Sequence, residues 1–174
     1  MLADTHLRDG ANGLPAAALA QLQGVDVILH AGDVVSRRLL DDLSALAPTH
    51  VVLGNNDHDL VSHLPERLDL VLGGVRIAMV HDSGARAGRA NRMRRWFPGA
   101  QLVVFGHSHE PVDDLGAEGQ RLFNPGSPTQ RRRQPHPTMG VLELHAGLIV
   151  RHAIIRTDVP ADTRIDAMVD QARQ

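Results

Sequence analysis

The sequence predicts an α/β fold in which β-sheets are sandwiched between helices. Two patterns predict it. Up to residue 53, short β-branched runs alternate with helical segments, as in βαβ layers; from residue 68 the runs crowd together behind tight turns, as antiparallel strands do. A third observation sets the scale: 174 residues with 43% hydrophobic content suffice for one domain with its own core.

Taken in order, only three residues precede Asp4, where a first core strand takes about five; either the native start lies upstream of Met1, which is the expectation, or the strand is truncated. Residues 15–22 read as a helix with Pro15 in its first turn. Residues 25–29 (Val-Asp-Val-Ile-Leu) read as a buried strand, 36–46 as a helix capped by Ser36, and 49–53 as a second strand. Residues 68–72 and 75–80 flank Gly73-Gly74, a two-residue hairpin signal. Residues 87–97 form a basic helix and 101–105 a strand. Residues 122–123, 139–144 and 148–155 are expected to close the fold as an antiparallel set, the last two joined by His145-Ala146-Gly147. A terminal helix over 161–172, with Ile165, Met168 and Val169 on one face, completes the chain. The domain is placed at residues 1–157 and a helical tail at 158–174.

Composition excludes several chemistries. Cysteine is absent, which removes disulfides, thiolate metal sites and cysteine nucleophiles. All 18 basic residues are arginine, so no lysine is available for Schiff-base or phosphate-loop chemistry. A net charge of -2 and 2% aromatic content argue against a nucleic-acid surface. No apolar run approaches the roughly 20 residues of a membrane span, and the N-terminus lacks a signal-peptide pattern. The cytoplasm is the expected location.

Five signals stand in order where strands run out into loops: Asp4-Thr5-His6, Gly32-Asp33, Gly54-Asn55-Asn56-Asp57, His81-Asp82 and Gly106-His107-Ser108-His109. Their oxygen and imidazole donors suit borderline divalent ions such as Mn²⁺, Fe²⁺, Ni²⁺ or Zn²⁺. In Asp-x-His and His-x-His, extended residues two apart would point to one side and converge on one cavity. Each signal alone is common in turns; the ordered set is what points to a metal centre.

That series resembles the calcineurin-like metallophosphoesterase superfamily. The short length, Asn56 in the third place of Gly-Asn-Asn-Asp, and the trailing Asn124-Pro125-Gly126-Ser127 are similar to its YfcE-type phosphodiesterase branch. The resemblance implies a four-layer αββα sandwich, two mixed sheets flanked by helices, with a dinuclear site at one end. It implies one metal on Asp4, His6, Asp33 and His109 and a second on Asp33, Asn55, His81 and His107. Asp33, Asn55 and His81 are then catalytic, with Asp33 as the shared carboxylate. The cofactors are two divalent cations, Mn²⁺ first, with Ni²⁺, Fe²⁺ and Zn²⁺ as alternatives. A bridging water made acidic by both cations would attack phosphorus in line.

Asn56 stands where many relatives place a proton-donating histidine, and an amide cannot supply that proton. An ester with a good leaving group, or a diester whose leaving group another acid assists, is therefore the expected substrate, and His58 is the nearest replacement acid, weighed against a plain surface histidine. Asn56, Arg131 and Arg132 are the expected substrate contacts, the arginines set against a solvated loop. His30 reads as a partner of a ligand or a core histidine, and Asp57 as the residue holding the Asn55 loop. The expected partner is a small phosphate ester, with neither membrane nor nucleic acid, and a homo-oligomer is left open. The rivals are a non-catalytic metal-binding scaffold of the retromer-subunit type, and a nucleic-acid or cyclic-nucleotide phosphodiesterase.

Overall fold

A computed structural model describes residues 1–160; the expected terminal helix lies outside them. The elements are α1 (Ala16–Leu22), β1 (Ile28–His30), α2 (Arg37–Leu46), β2 (Thr49–Val51), β3 (Arg67–Leu72), β4 (Val75–Val80), α3 (Arg89–Trp96), β5 (Leu102–Val104), β6 (Val112–Leu115), β7 (Arg121–Asn124), β8 (Thr138–His145) and β9 (Leu148–Arg156). Ser36 caps α2, its hydroxyl accepting from the Leu39 amide. The Gly73-Gly74 and Ala146-Gly147 turns both adopt left-handed backbone, the geometry that two-residue hairpins require.

One sheet has the order β3-β4-β5-β7-β6, with β4, β5 and β7 parallel and both edge pairs antiparallel. The other is assembled around the first three residues. Leu2 donates to Leu29 O and accepts from Ala31 N, both at 2.8 Å, in a parallel bridge to the β1 side. Met1 exchanges bonds with Gly140 of β8, at 2.7 Å and 2.9 Å. The β1–β2 and β8–β9 pairs thereby become one mixed sheet.

Three apolar layers follow from strand alternation. Ile77, Met79, Leu102 and Val104 point inward and meet Ala3, Leu29 and Val52 between the sheets. Their neighbours Ala78, Val80, Val103 and Phe105 point outward against Met93 and Phe97 of the α3 side. Ile28 and Met139 face Ala18, Leu22, Leu39 and Leu43 of α1 and α2. Helix, sheet, sheet, helix is the four-layer sandwich.

Two expectations are corrected. Residues 122–123 do not join the closing antiparallel set: β7 runs parallel to β5 inside the other sheet, and its antiparallel neighbour is β6. β6, Val-Asp-Asp-Leu, was not foreseen, because an edge strand needs no buried alternation. The first predicted strand also starts late, at Ile28 rather than residue 25.

Candidate metal centre

The parallel strands all run the same way, and the loops at their carboxyl ends gather the donors, as open α/β sheets do. Asp4 follows the three-residue segment, Asp33 follows β1, Asn55 follows β2, His81 follows β4 and His107 follows β5. All seven expected donors meet there.

Two halves share one carboxylate. In the first, His6 Nε2 and His109 Nε2 lie 3.1 Å apart, with Asp4 Oδ1 3.5 Å from the latter. In the second, Asn55 Oδ1 sits 3.0 Å from His81 Nε2 and 2.8 Å from His107 Nδ1. Asp33 Oδ2 lies between them, 3.5 Å from His6 Nε2 and 3.4 Å from His81 Nε2. Asp4, His6 and His109 form one ligand-like group, and Asp4, Asp33 and His81 another.

Ring tautomers follow from the carbonyls. His109 Nδ1 faces Gln130 O at 2.5 Å and His81 Nδ1 faces Ala31 O at 2.7 Å. Each must donate there, which leaves Nε2 as a lone pair when the ring is neutral. His81 Nε2 then meets the Asn55 carbonyl oxygen acceptor to acceptor, a contact that requires a proton or a cation.

The electrostatics of the site suit a cation. Burial pushes the Asp4 carboxyl up to about 7, and Asp4 Oδ2 is buried with no hydrogen-bond partner. Burial holds His109 down to about 4 and also lowers His6, so both rings are neutral. His81 is raised: burial opposes its charge, but hydrogen bonds to Asp33 and Ala31 outweigh that. Asp33 is lowered despite burial, because His81 and Asn56 donate to it. An orphaned carboxylate oxygen beside neutral imidazole lone pairs fits divalent cations.

Backbone conformation differs from the sequence expectation. Asp4, His6, Asp33, His107 and His109 all have φ between 45° and 69°, not extended values. They are five of the nine non-glycine residues with positive φ among those described. Left-handed side chains cost on the order of 1–3 kcal/mol each and persist where surroundings dictate them. The Asp-x-His and His-x-His pairs converge through these turns.

A second set of residues holds the donors. Asp57, fully buried, accepts from Asp33 N at 2.9 Å, Gly54 N at 2.8 Å and Val35 N at 2.7 Å. Asn56 donates its backbone N–H and its amide to the two Asp33 oxygens, at 2.7 Å and 2.6 Å. His30, pushed down to about 3 by burial, contacts Thr5 Oγ1 at 3.1 Å. Sequence reasoning missed the grip of the 127–130 loop. Ser127 Oγ donates to Asp4 O, Thr129 Oγ1 to Thr5 O, and Gln130 O receives His109. Asn124 Nδ2 donates to Gly106 O and Ser108 Oγ. The Asn-Pro-Gly-Ser turn was visible, but not the strands it would reach.

Of the expected substrate contacts, Arg132 donates toward His107 O at 3.5 Å, on the rim of the site, and has φ 49°. Arg131 turns back to Gln134 O of its own loop. Asn56 spends its amide on Asp33. His58 is exposed, in a 3₁₀ turn.

A family profile described as the calcineurin-like phosphoesterase superfamily domain matches residues 1–147. A protein named "Probable metallophosphoesterase" from Methanothermobacter thermautotrophicus is 33% identical over 163 residues, 92% of each chain. Among solved structures, wild-type Vps29 with Zn²⁺ from Entamoeba histolytica superposes with a TM-score of 0.69 at 21% identity, covering 90% of this chain and 97% of that one. An archaeal phosphodiesterase has a TM-score of 0.65 at 20% identity, covering 88% and 97%. These two structural likenesses speak to fold.

Proposed function

Because the chain belongs to the calcineurin-like phosphoesterase superfamily, we propose that it hydrolyses small phosphodiesters with two divalent cations. One is held by Asp4, His6, Asp33 and His109, the other by Asp33, Asn55, His81 and His107. The observation that carries this reading is the place of Asp33 Oδ2, within 3.5 Å of one imidazole from each half. When bound, the cations supply the charge that activates water and neutralises phosphate oxygens.

The chain's own residues do the rest. Ala31 O and Gln130 O fix the rings of His81 and His109, so that their Nε2 lone pairs point at the centre. Asn56 and Asp57 hold Asp33 ionised and in place. Arg132 adds positive charge at the rim, where a phosphate diester would enter. Asn56 offers no proton, so a leaving group must depart largely unaided.

The test is turnover of bis-p-nitrophenyl phosphate by purified protein with added Mn²⁺, alongside metal analysis and a panel of mono-, di- and cyclic phosphates. The expected result is metal-dependent hydrolysis, strongest on diesters. Bound metal without turnover above background would overturn the enzyme reading in favour of a non-catalytic, metal-binding scaffold. Preference for cyclic phosphates would instead favour the cyclic-nucleotide reading.

A further inference from the structure

A cavity of about 370 Å³ opens beside the His6 half of the metal centre. Its two walls continue the chain from two of the donors. One is the 7–13 loop, which leaves directly from His6; the other is the start of α2 with its cap Ser36, three residues beyond Asp33. The His6 N–H donates to Asp33 O at 3.0 Å, so both walls spring from one point. They meet again where Ser36 Oγ donates to Asp9 Oδ1. Between these ties the loop turns sharply: Ala11 N donates to Arg8 O at 3.0 Å, with Gly10 at φ 86° in the place where a type II turn needs glycine.

The apolar share of the lining is small: Leu39 is buried, and Leu7 packs against the same layer. The rest is polar and exposed, with Arg8, Asn12, Arg38 and Asp42 around the opening. Arg38 Nε faces Asp42 Oδ2 at 3.9 Å, with side chains 72% and 66% exposed, and a pair so open to water holds its arginine weakly. Arg8 makes no ion pair and no side-chain hydrogen bond among the described residues. The carboxylate beside it in sequence, Asp9, is engaged with Ser36. Two guanidiniums against one carboxylate leave the cavity net positive, and the first turn of the ten-residue α2 adds the positive end of its dipole. Guanidinium forks match the oxygens of a phosphoryl group, two donors to two acceptors.

We propose that this cavity receives the second limb of the diester, the one that stays on phosphorus, and that the limb ends in a phosphoryl anion of its own. With the reacting phosphate at the metal centre, that limb runs past His6 and Leu7 into the cavity, where Arg8 and Arg38 take its terminal oxygens. Arg8 is then a specificity residue, selecting diesters with a dianionic tail over those with a neutral one. This assignment rests on the phosphodiesterase reading of the metal centre and adds to it the class of substrate.

The experiment compares two p-nitrophenyl phosphodiesters, one with an ethyl limb and one with a 2-phosphonoethyl limb. Nitrophenolate leaves from both, so they differ only in the limb that remains. The wild type is expected to favour the phosphonate diester by about tenfold or more in kcat/KM, chiefly through KM, the worth of one charge-assisted hydrogen bond. Arg8→Ala and Arg38→Ala each bring that ratio close to one. Arg37→Ala removes the same charge from an exposed neighbour outside the cavity lining and keeps the ratio. No preference in the wild type, or an equal loss in Arg37→Ala, overturns the subsite. If neither diester is hydrolysed, the phosphodiesterase reading fails by itself, and the cavity is judged by binding. Ethylphosphonate is titrated into the Zn²⁺-supplemented protein at constant ionic strength. Shifts of the Ala11 and Arg38 amide resonances that vanish in Arg8→Ala uphold an anion site; no shift at the highest soluble concentration, or the same shifts in Arg8→Ala, overturns it.

Discussion

Asp57 grips Asp33 by its backbone: Asp57 Oδ2 accepts the Asp33 N–H at 2.9 Å, and the same oxygen accepts Gly54 N–H at 2.8 Å. One buried carboxylate thus ties the loop bearing Asn55 to the loop bearing Asp33, with Val35 N–H on its other oxygen. Asp57→Asn replaces one acceptor oxygen with a donor facing N–H groups. The expected outcome is a loss of about 1–3 kcal/mol in stability and a fall of roughly 10–100-fold in metal affinity or activity. Thermal unfolding and metal titration check it. A wild-type metal affinity in the variant would show that the clamp is dispensable.

Gly54→Ala tests the same junction by volume. A Cβ at Gly54 would overlap the backbone nitrogen and a carboxylate oxygen of Asp33, whereas one at Gly99 meets only Arg76 Nε, at 3.9 Å. Neither glycine has positive φ, so the comparison isolates packing. Gly54→Ala is expected to cost about 1–3 kcal/mol or more by overpacking, and Gly99→Ala almost nothing. Equal Tm values for the two variants would contradict the close approach of these loops.

Removal of metal should destabilise the protein. Asp4 is buried, with one oxygen unpartnered, and five donors sit in left-handed backbone. A cation at 100 times its Kd adds about 2.7 kcal/mol, so chelation is expected to lower Tm by about 5–10 °C. Mn²⁺ in excess over the chelator should restore it. A Tm indifferent to both would mean that the donors hold no cation.

Arg131 and Arg132 are neighbours with different outlooks. Arg132 reaches the rim beside His107, while Arg131 closes on Gln134. Arg132→Ala is expected to raise KM for a diester by about tenfold, the worth of one charge-assisted hydrogen bond, with kcat little changed. Arg131→Ala should leave both constants near wild type. Equal effects would assign the charge to the loop as a whole.

The donors were legible in sequence because all but His81 stand within a residue or two of a glycine or another donor, as in Gly32-Asp33 and His107-Ser108-His109. The layers were legible because Ile77 to Val80 and Leu102 to Phe105 alternate between two apolar faces. What escaped were relationships between distant segments. Ser127 and Thr129 hold Asp4 and Thr5 across more than a hundred residues, and nothing local marks them for it. The polar edge strand β6 escaped because Asp113 and Asp114 give no apolar period. The turns at Asp4, His6, His107 and His109 escaped because left-handed backbone at such residues has no sequence signal once glycine is absent.

Leaving-group chemistry offers the sharpest test of the site's character. Asn56 directs its amide to Asp33 Oδ2 at 2.6 Å, and an amide holds no transferable proton at neutral pH. His58 sits exposed in its own turn. Without a positioned acid, the rate must fall steeply as the leaving group becomes more basic, since proton donation of that kind typically contributes about 10²–10⁴-fold. A series of aryl methyl phosphodiesters, from nitrophenyl to phenyl, is therefore expected to lose kcat/KM with every increase in phenol pKa. Asn56→His should flatten that dependence and gain most on the poorest leaving group, at some cost in Asp33 positioning. His58→Ala should leave the slope untouched. A shallow slope in the wild type, made steep by His58→Ala, would instead assign the acid to His58.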